Sequence, residues 1–517
     1  MLDRRRFLEI LAALGASRTV AARATDRKVS FDSYPFTLGV ASGYPTPEGF
    51  VLWTRLAPRP VEPRGGLAPE PVPMRWEVSE DDKFSKIVAS RAEFPGPEWA
   101  HSVHAEVRGL RPDRWYWYRF LAGDAVSPVG RTRTAPAAGA SAARLRFAFA
   151  SCQHFEHGYY TAHKHMASED LDLVIFLGDY IYESSLRRNQ VRLHERADEP
   201  VTLDEYRARY ATYKSDGDLQ AVHHAFPWIV TWDDHEVDND YANDRQEDGA
   251  PPEEFLLRRA AAYQAYYEHM PLPASMRPRG PGMRIHTVSE WGSLARFYLL
   301  DGRQYRSPQA CPRRASGGNE VDPLECSDLR ETTRTMLGAA QEAWLDREFA
   351  SSRASWNILA QQVLMAQRKN RSVEKQMVWT DSWDGYPGAR RRLLEAAVAR
   401  KLVNPVVLSG DVHMHFAADL KLDFDDGRSP AVASEFVGTS ITSAPGAWQK
   451  NMPAILAENP HIKYGNGEHR GYVRASIAGG RFNAELVGVE TVRKPESRAT
   501  VLARFVVEDG KPGPQRN

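Results

Sequence analysis

The sequence predicts a mixed α/β protein (α+β overall), a β-sandwich followed by a layered α/β domain. Three observations predict it. The chain has 517 residues, and single cores stop growing beyond roughly 250–300 residues, so more than one domain is expected. Short β-forming runs occupy positions 34–133. After an Ala/Gly/Ser stretch, strand-length apolar runs alternate with helical periodicity. A composition of 42% hydrophobic and 26% charged residues excludes a largely disordered chain. The 67 basic side chains balance 67 acidic ones, which argues against a stable nucleic-acid partner. No apolar run approaches the ~20 residues that cross a bilayer.

The first segment, 1–24, reads as an address rather than as fold. Arg4-Arg5-Arg6-Phe7-Leu8 precedes a short, mildly apolar stretch, and Ala22-Arg23-Ala24 supplies small residues for a peptidase. This resembles a twin-arginine export signal, with that export machinery as partner and a periplasmic or secreted destination. A basic amphipathic helix is the plainer alternative. Such export carries proteins already folded.

The β-rich part spans 34–133. Residues 50–56 are rich in β formers, 74–78 alternate apolar with polar, and Trp115-Tyr116-Trp117-Tyr118 follows a Leu110-Arg111-Pro112 turn. That pattern resembles an immunoglobulin- or fibronectin-like sandwich. Residues 134–143 then read as a linker and 144–517 as the second domain. There, strand-like runs fall at 145–150, 173–177, 228–232, 297–300, 356–360 and 405–408. Helical spacing marks 255–270, 337–350 and 389–402, and Thr202-Leu203-Asp204-Glu205 is a capping box that opens another helix.

Chemistry concentrates where those strands end. The first runs into Ser151-Cys152-Gln153-His154, the second into Gly178-Asp179-Tyr180-Ile181-Tyr182, and the third into Asp233-Asp234-His235-Glu236. The fourth ends in Asp301-Gly302-Arg303 and the last in Ser409-Gly410-Asp411-Val412-His413. Ligands of α/β sheets sit outside the carboxyl ends of strands, so these groups should converge. Asp179, Asp234 and Asp411 together would repel by several kcal/mol at an effective dielectric of about 20, unless cations or protons neutralise them. Carboxylates suit calcium, magnesium or manganese; imidazole, phenolate and thiolate suit a transition metal, so a bimetallic centre is the natural reading. Two ions about 3.5–4 Å apart form a usual clamp for phosphate-ester hydrolysis.

Gly178-Asp179-X-X-Tyr182, Asp234-His235-Glu236 and Gly410-Asp411-X-His413 resemble the blocks of a calcineurin-like metallophosphoesterase. The fuller resemblance is to PhoD-like alkaline phosphatases. It rests also on Ala150-Ser151-Cys152-Gln153, the run from Thr231 to Tyr241, the block from Trp379 to Tyr386, Gly438-Thr439-Ser440 and His469-Arg470-Gly471-Tyr472. The resemblance implies a layered metallophosphoesterase domain after the sandwich, and a metal-dependent alkaline phosphatase or phosphodiesterase. It implies Asp179 as the carboxylate shared by two metals, with Tyr182, Cys152 and His413 completing the first shell. Asp234 and Asp411 face the second ion, and the family's iron-and-calcium site implies ferric iron and calcium here. His235 is the expected proton donor to the leaving oxygen or stabiliser of phosphoryl charge, against a plainer role as a supporting partner of Asp234. Asn239 and Tyr241 are candidates to touch substrate oxygens.

One ligand of the wider superfamily, a histidine before the Gly410 block, has no counterpart. Gln361 or Gln362 is the candidate substitute, against an ordinary strand-end amide, and the metal count stays open at two or three. Arg303 and Arg470 are candidates for a bidentate phosphate clamp. The block 379–386 reads as packing over the site, and His163 and His165 as surface residues. Cys311 and Cys326 would close a loop of 16 residues, worth roughly 3 kcal/mol if bridged; the sequence leaves that open. Three rivals stand beside the phosphatase: a phospholipase D-type diesterase acting on lipid or wall polymer, a non-catalytic binding protein, and a purely structural calcium site at Asp179, Asp234 and Asp411.

Overall fold

The computed structural model describes residues 29–314, 317–372, 375–446 and 451–517; the expected export segment 1–24 lies outside them. Two large sheets face each other, with helices packed outside. The larger has ten strands. At its centre, Arg144–Ala150, Leu173–Phe176, Pro227–Val230 and Val40–Thr46 run parallel. All four residues of Leu173–Phe176 and of Pro227–Val230 are buried, the signature of parallel strands covered on both faces. In the seven-stranded sheet, Ala295–Leu299, Trp356–Ala360, Pro405–Ser409 and Ala431–Val437 are likewise parallel. Phe147, Phe297, Phe436 and Phe482 interlock in the layer between the sheets.

The β-rich amino-terminal region is a sandwich, as its alternation predicts. Trp115–Ala122 buries every second residue, and its inward Tyr116, Tyr118 and Phe120 pack with Phe50, Leu52, Trp76 and Val78. One of its two sheets is not its own. Val40–Thr46, Gly49–Arg55 and Ser102–Val107 extend the ten-stranded sheet through the pairing of Ser42 with Pro227 and Gly43 with Trp228. Residues 134–143 are tied down at both ends: Ala135 N–H donates to Thr46, and Ala140 C=O accepts from Ser293.

The helices expected at 255–270, 337–350 and 389–402 are Pro252–His269, Ala339–Ser351 and Pro387–Ala399. Proline sits at the start of the first and third, where its missing N–H costs nothing. Glu205 accepts the Thr202 N–H at 2.8 Å and opens helix Leu203–Lys214. Cys311 and Cys326 are bridged. His163 corrects a sequence expectation: it is buried, with Nε2 2.7 Å from Gln153 Oε1, whereas His165 is half-buried and bonds Ser497 O.

Candidate metal centre and active site

The strands Arg144–Ala150, Leu173–Phe176, Pro227–Val230 and Pro405–Ser409 run on into the turns that carry Cys152, Asp179, Asp234 and Asp411, and a bridge between Ser151 and Ser440 joins the two sheets there. The turns leaving the strands are strained. Cys152, Asp179, Asp411 and His413 all have φ between 55° and 64°, a left-handed conformation costing of order 1–3 kcal/mol per non-glycine residue. It persists because the surroundings over-determine it. Gly178 has φ 110°, and a Cβ there would lie 2.5 Å from Asp233 N; a Cβ on Gly410 would lie 2.3 Å from Ser151 Oγ. Glycine at both places lets the strand ends close up. Glu236 staples two of them by accepting the N–H groups of Asp179 (3.1 Å), Tyr180 (2.6 Å) and Asp233 (2.8 Å).

Among the described residues, two close groups of side chains able to ligate metal share Asp179. Ligand atoms of Cys152, Asp179 and His413 all lie within 4.8 Å of one another, as do those of Asp179, Asp234 and His235. Tyr182 joins the first group: its hydroxyl donates to Asp179 Oδ2 (2.9 Å) and lies 3.1 Å from His413 Nε2. His413 Nδ1 donates to Ala444 O at 2.7 Å, which leaves the Nε2 lone pair facing Tyr182. Asp411 stands apart from both close groups and has no hydrogen-bond partner among the described residues, although it feels the charges of Asp233 and Asp234.

The electrostatics call for a cation. Burial, reinforced by Asp234 and Asp233, pushes the Asp179 carboxyl well above the ordinary carboxylate range. Burial does the same to Asp411 and, together with Asp179, to the Cys152 thiol. Asp179 Oδ1 is buried and has no partner, a rare condition that points to an absent ligand. The donors present fit a metal pair: thiol, phenol and imidazole on one side of Asp179, carboxylates on the other. Ferric iron and calcium, implied by the resemblance, are both compatible with that set.

His235 sits beside these groups, its ring stacked on Tyr182 at 4.1 Å. Its Nδ1 is 2.7 Å from Glu183 Oε2. Burial disfavours the imidazolium, but Glu183, Asp234 and Asp179 outweigh it and raise the pKa well above the usual value. Asn239 is half-buried at the same rim; its Nδ2 donates to Glu247 at 2.9 Å and its backbone N–H to Glu183 at 3.1 Å.

Other candidates are placed elsewhere. Arg303 is fully buried and pairs with Asp233 and with Asp381 (2.9 Å), lying 3.6 Å from Asp234. It is a counter-charge inside the protein, not a phosphate clamp. Arg470 donates to Ser440 Oγ (2.9 Å), Ser443 O (2.8 Å) and Gly467 O (2.6 Å), anchoring a loop instead. Gln361 holds Ser409 Oγ and accepts from Trp383; Gln362 holds Thr231 and Leu300 and accepts from Gly302. Both amides are consumed structurally, and neither is a ligand. Tyr241 is buried with its hydroxyl 3.0 Å from that of Tyr263, away from substrate. Trp383 of the block expected to pack over the site lies in the core, while Asp381 of the same block pairs with Arg303 and Arg306.

Sequence reasoning passed over Glu183, Asp240 and Asp381. The last two join Asp234 in a third close group, with Arg303 as its cation. Glu183 is adjacent to Tyr182 and was findable by that adjacency; Asp381 lies 141 positions beyond Asp240 and carries no local signal.

This edge of converging carboxylates, thiol, phenol and imidazole defines a hydrolase of phosphoric esters. A PhoD-like phosphatase family model matches residues 147–486, and the model of that family's N-terminal domain matches residues 20–136. Alkaline phosphatase D of Bacillus subtilis (strain 168) is 46% identical over 525 residues, covering 99% of this chain and 88% of that protein. A solved structure of PhoD superposes with a TM-score of 0.90 at 47% identity, covering 94% of this chain and 93% of that one. The chain belongs to the PhoD-like phosphatase family, and it is a phosphoesterase.

Proposed function

We propose that the chain is an exported, metal-dependent alkaline phosphatase that also accepts phosphodiesters. The observation carrying the metal dependence is Asp179, shared by two ligand groups and left with a buried, unpartnered Oδ1. Cys152, Asp179, Tyr182 and His413 would hold ferric iron; Asp179, Asp234 and Asp411 would hold calcium, whose oxygen shell is large and flexible. Bound there, the metals supply Lewis-acid polarisation of the phosphoryl group and activation of the attacking water.

The chain's own residues do the rest. Glu183 keeps the His235 imidazolium oriented and charged, so that Nε2 can give a proton to the departing oxygen. The same positive charge offsets negative charge developing on the phosphoryl oxygens. Tyr182 supports the ring from below. Asp234 is held ionised: burial alone would raise it, but Arg303 and His235 bring it below the ordinary range.

The test is turnover of p-nitrophenyl phosphate and its bis-ester at pH 8 with added calcium, beside Asp179→Asn. Hydrolysis of both that vanishes in the variant supports the reading; hydrolysis of the monoester alone removes the diesterase part. Activity untouched in Asp179→Asn sinks the metal mechanism. Export rests on the paired arginines and is tested separately, by whether replacing Arg4, Arg5 and Arg6 with lysine keeps the protein in the cytoplasm.

A further inference from the structure

His157 and His413 hold opposite ends of one residue, Ala444. The carbonyl of Ala444 accepts from His413 Nδ1 at 2.7 Å, and its N–H donates to His157 Nδ1 at 3.1 Å. A carbonyl only accepts and an amide only donates. The two bonds therefore fix two tautomers: His413 carries its proton on Nδ1, and neutral His157 carries its own on Nε2. Among the described residues these imidazoles are the only hydrogen-bond partners of the Ala444 backbone. Ala444 is itself exposed, so packing does little to fix it.

His157 is built to be a fixed post. It ends the short turn Phe155–His157, its N–H donates to His154 O at 3.2 Å, and its ring lies 4.2 Å from that of His154. His154 in turn packs 4.6 Å from the Tyr182 ring and donates its N–H to Ser443 Oγ at 3.1 Å. Ser443 already bonds the Tyr182 hydroxyl. The residue before Ala444 is thus pinned to one ligand side chain, and Ala444 carries the pin on to another.

We propose that His157 is a positioning residue for the metal centre, fixing through Ala444 the carbonyl that sets the tautomer and ring orientation of His413. The proposal rests on His413 being a ligand, as read above. Groups that orient a ligating imidazole typically change metal affinity 10–100-fold. His157 acts one link further out, so about three- to tenfold is expected.

The experiment measures release of bound metal to excess EDTA from the metal-loaded protein, with kcat and KM for p-nitrophenyl phosphate. His157→Asn keeps an acceptor where Nδ1 stood; His157→Gln moves it one bond outward. The Gln variant is expected to release metal about three- to tenfold faster, with kcat lowered and KM unchanged, and the Asn variant to stay within about twofold of the parent. Asn and Gln releasing metal at the same rate, fast or slow, overturns the proposal. A parent that holds no metal overturns the reading of the site itself, which separates the two failures.

Discussion

Glu183 Oε2 lies 2.7 Å from His235 Nδ1, while its other oxygen accepts the N–H of Asn239 at 3.1 Å. One buried carboxylate thus orients His235, the proposed proton donor, and closes the loop that follows it. Glu183→Gln keeps the shape and removes the charge. The His235 pKa is raised, so its imidazolium serves at pH values below that pKa and is lost as pH rises through it. Removing Glu183's charge lowers that pKa. The alkaline limb of the kcat profile should move to lower pH, and kcat should fall by about 10²–10⁴ at alkaline pH, the usual worth of a positioned acid. An unmoved limb would separate Glu183 from the chemistry.

Asp179→Asn should abolish turnover by at least about a hundredfold, since even groups outside a metal's ligand shell cost 10–100-fold. The metal-free variant should nonetheless melt higher than the metal-free parent at pH 8. The folded-state pKa of Asp179 is raised, so ionising it destabilises the fold increasingly as pH rises above the unfolded value, and asparagine removes that term. Calorimetry of both apoproteins between pH 5 and 8 checks the sign.

Tyr182→Phe leaves Asp179 Oδ2 and His413 Nε2 without their phenol. With iron in the Cys152 group, the loaded parent should be coloured by phenolate-to-iron charge transfer, and the variant should lose that band while staying folded. A colourless, active, iron-free parent would remove iron and leave the hydrolase standing.

Arg303→Met should damage the fold rather than substrate binding. It strands the buried Asp233, while Asp381 keeps Arg306 and Gln309, and breaking a buried pair costs about 3–5 kcal/mol. Thermal unfolding should show a large loss; a stable variant with only a raised KM would restore the clamp.

The proposed ligands were legible because they follow strands, and strand ends share an edge. The layered α/β domain was legible for the same reason, through apolar runs of strand length. What stayed hidden depends on partners remote in sequence. Nothing near Gln361 announces Trp383, and nothing near Arg303 announces Asp381. His163 sits on a polar-looking helix, yet the side chain that receives it, Gln153, comes from the Cys152 turn. Tyr241 belongs to a run rich in reactive residues, but Tyr263 draws it into the core. The pairing of Val40–Thr46 with Pro227–Val230 joins positions some 185 apart, beyond any local pattern.

That pairing makes the amino-terminal sandwich a scaffold for the reaction. Pro227–Val230 leads directly to Asp234 and His235, and on one side, among the described residues, its strand partner is Val40–Thr46. A chain trimmed to begin at 144 would open a raw strand edge beneath its own active centre, the kind of edge that recruits other chains. The piece that looks like an accessory is the flank that keeps the catalytic strands from pairing with strangers.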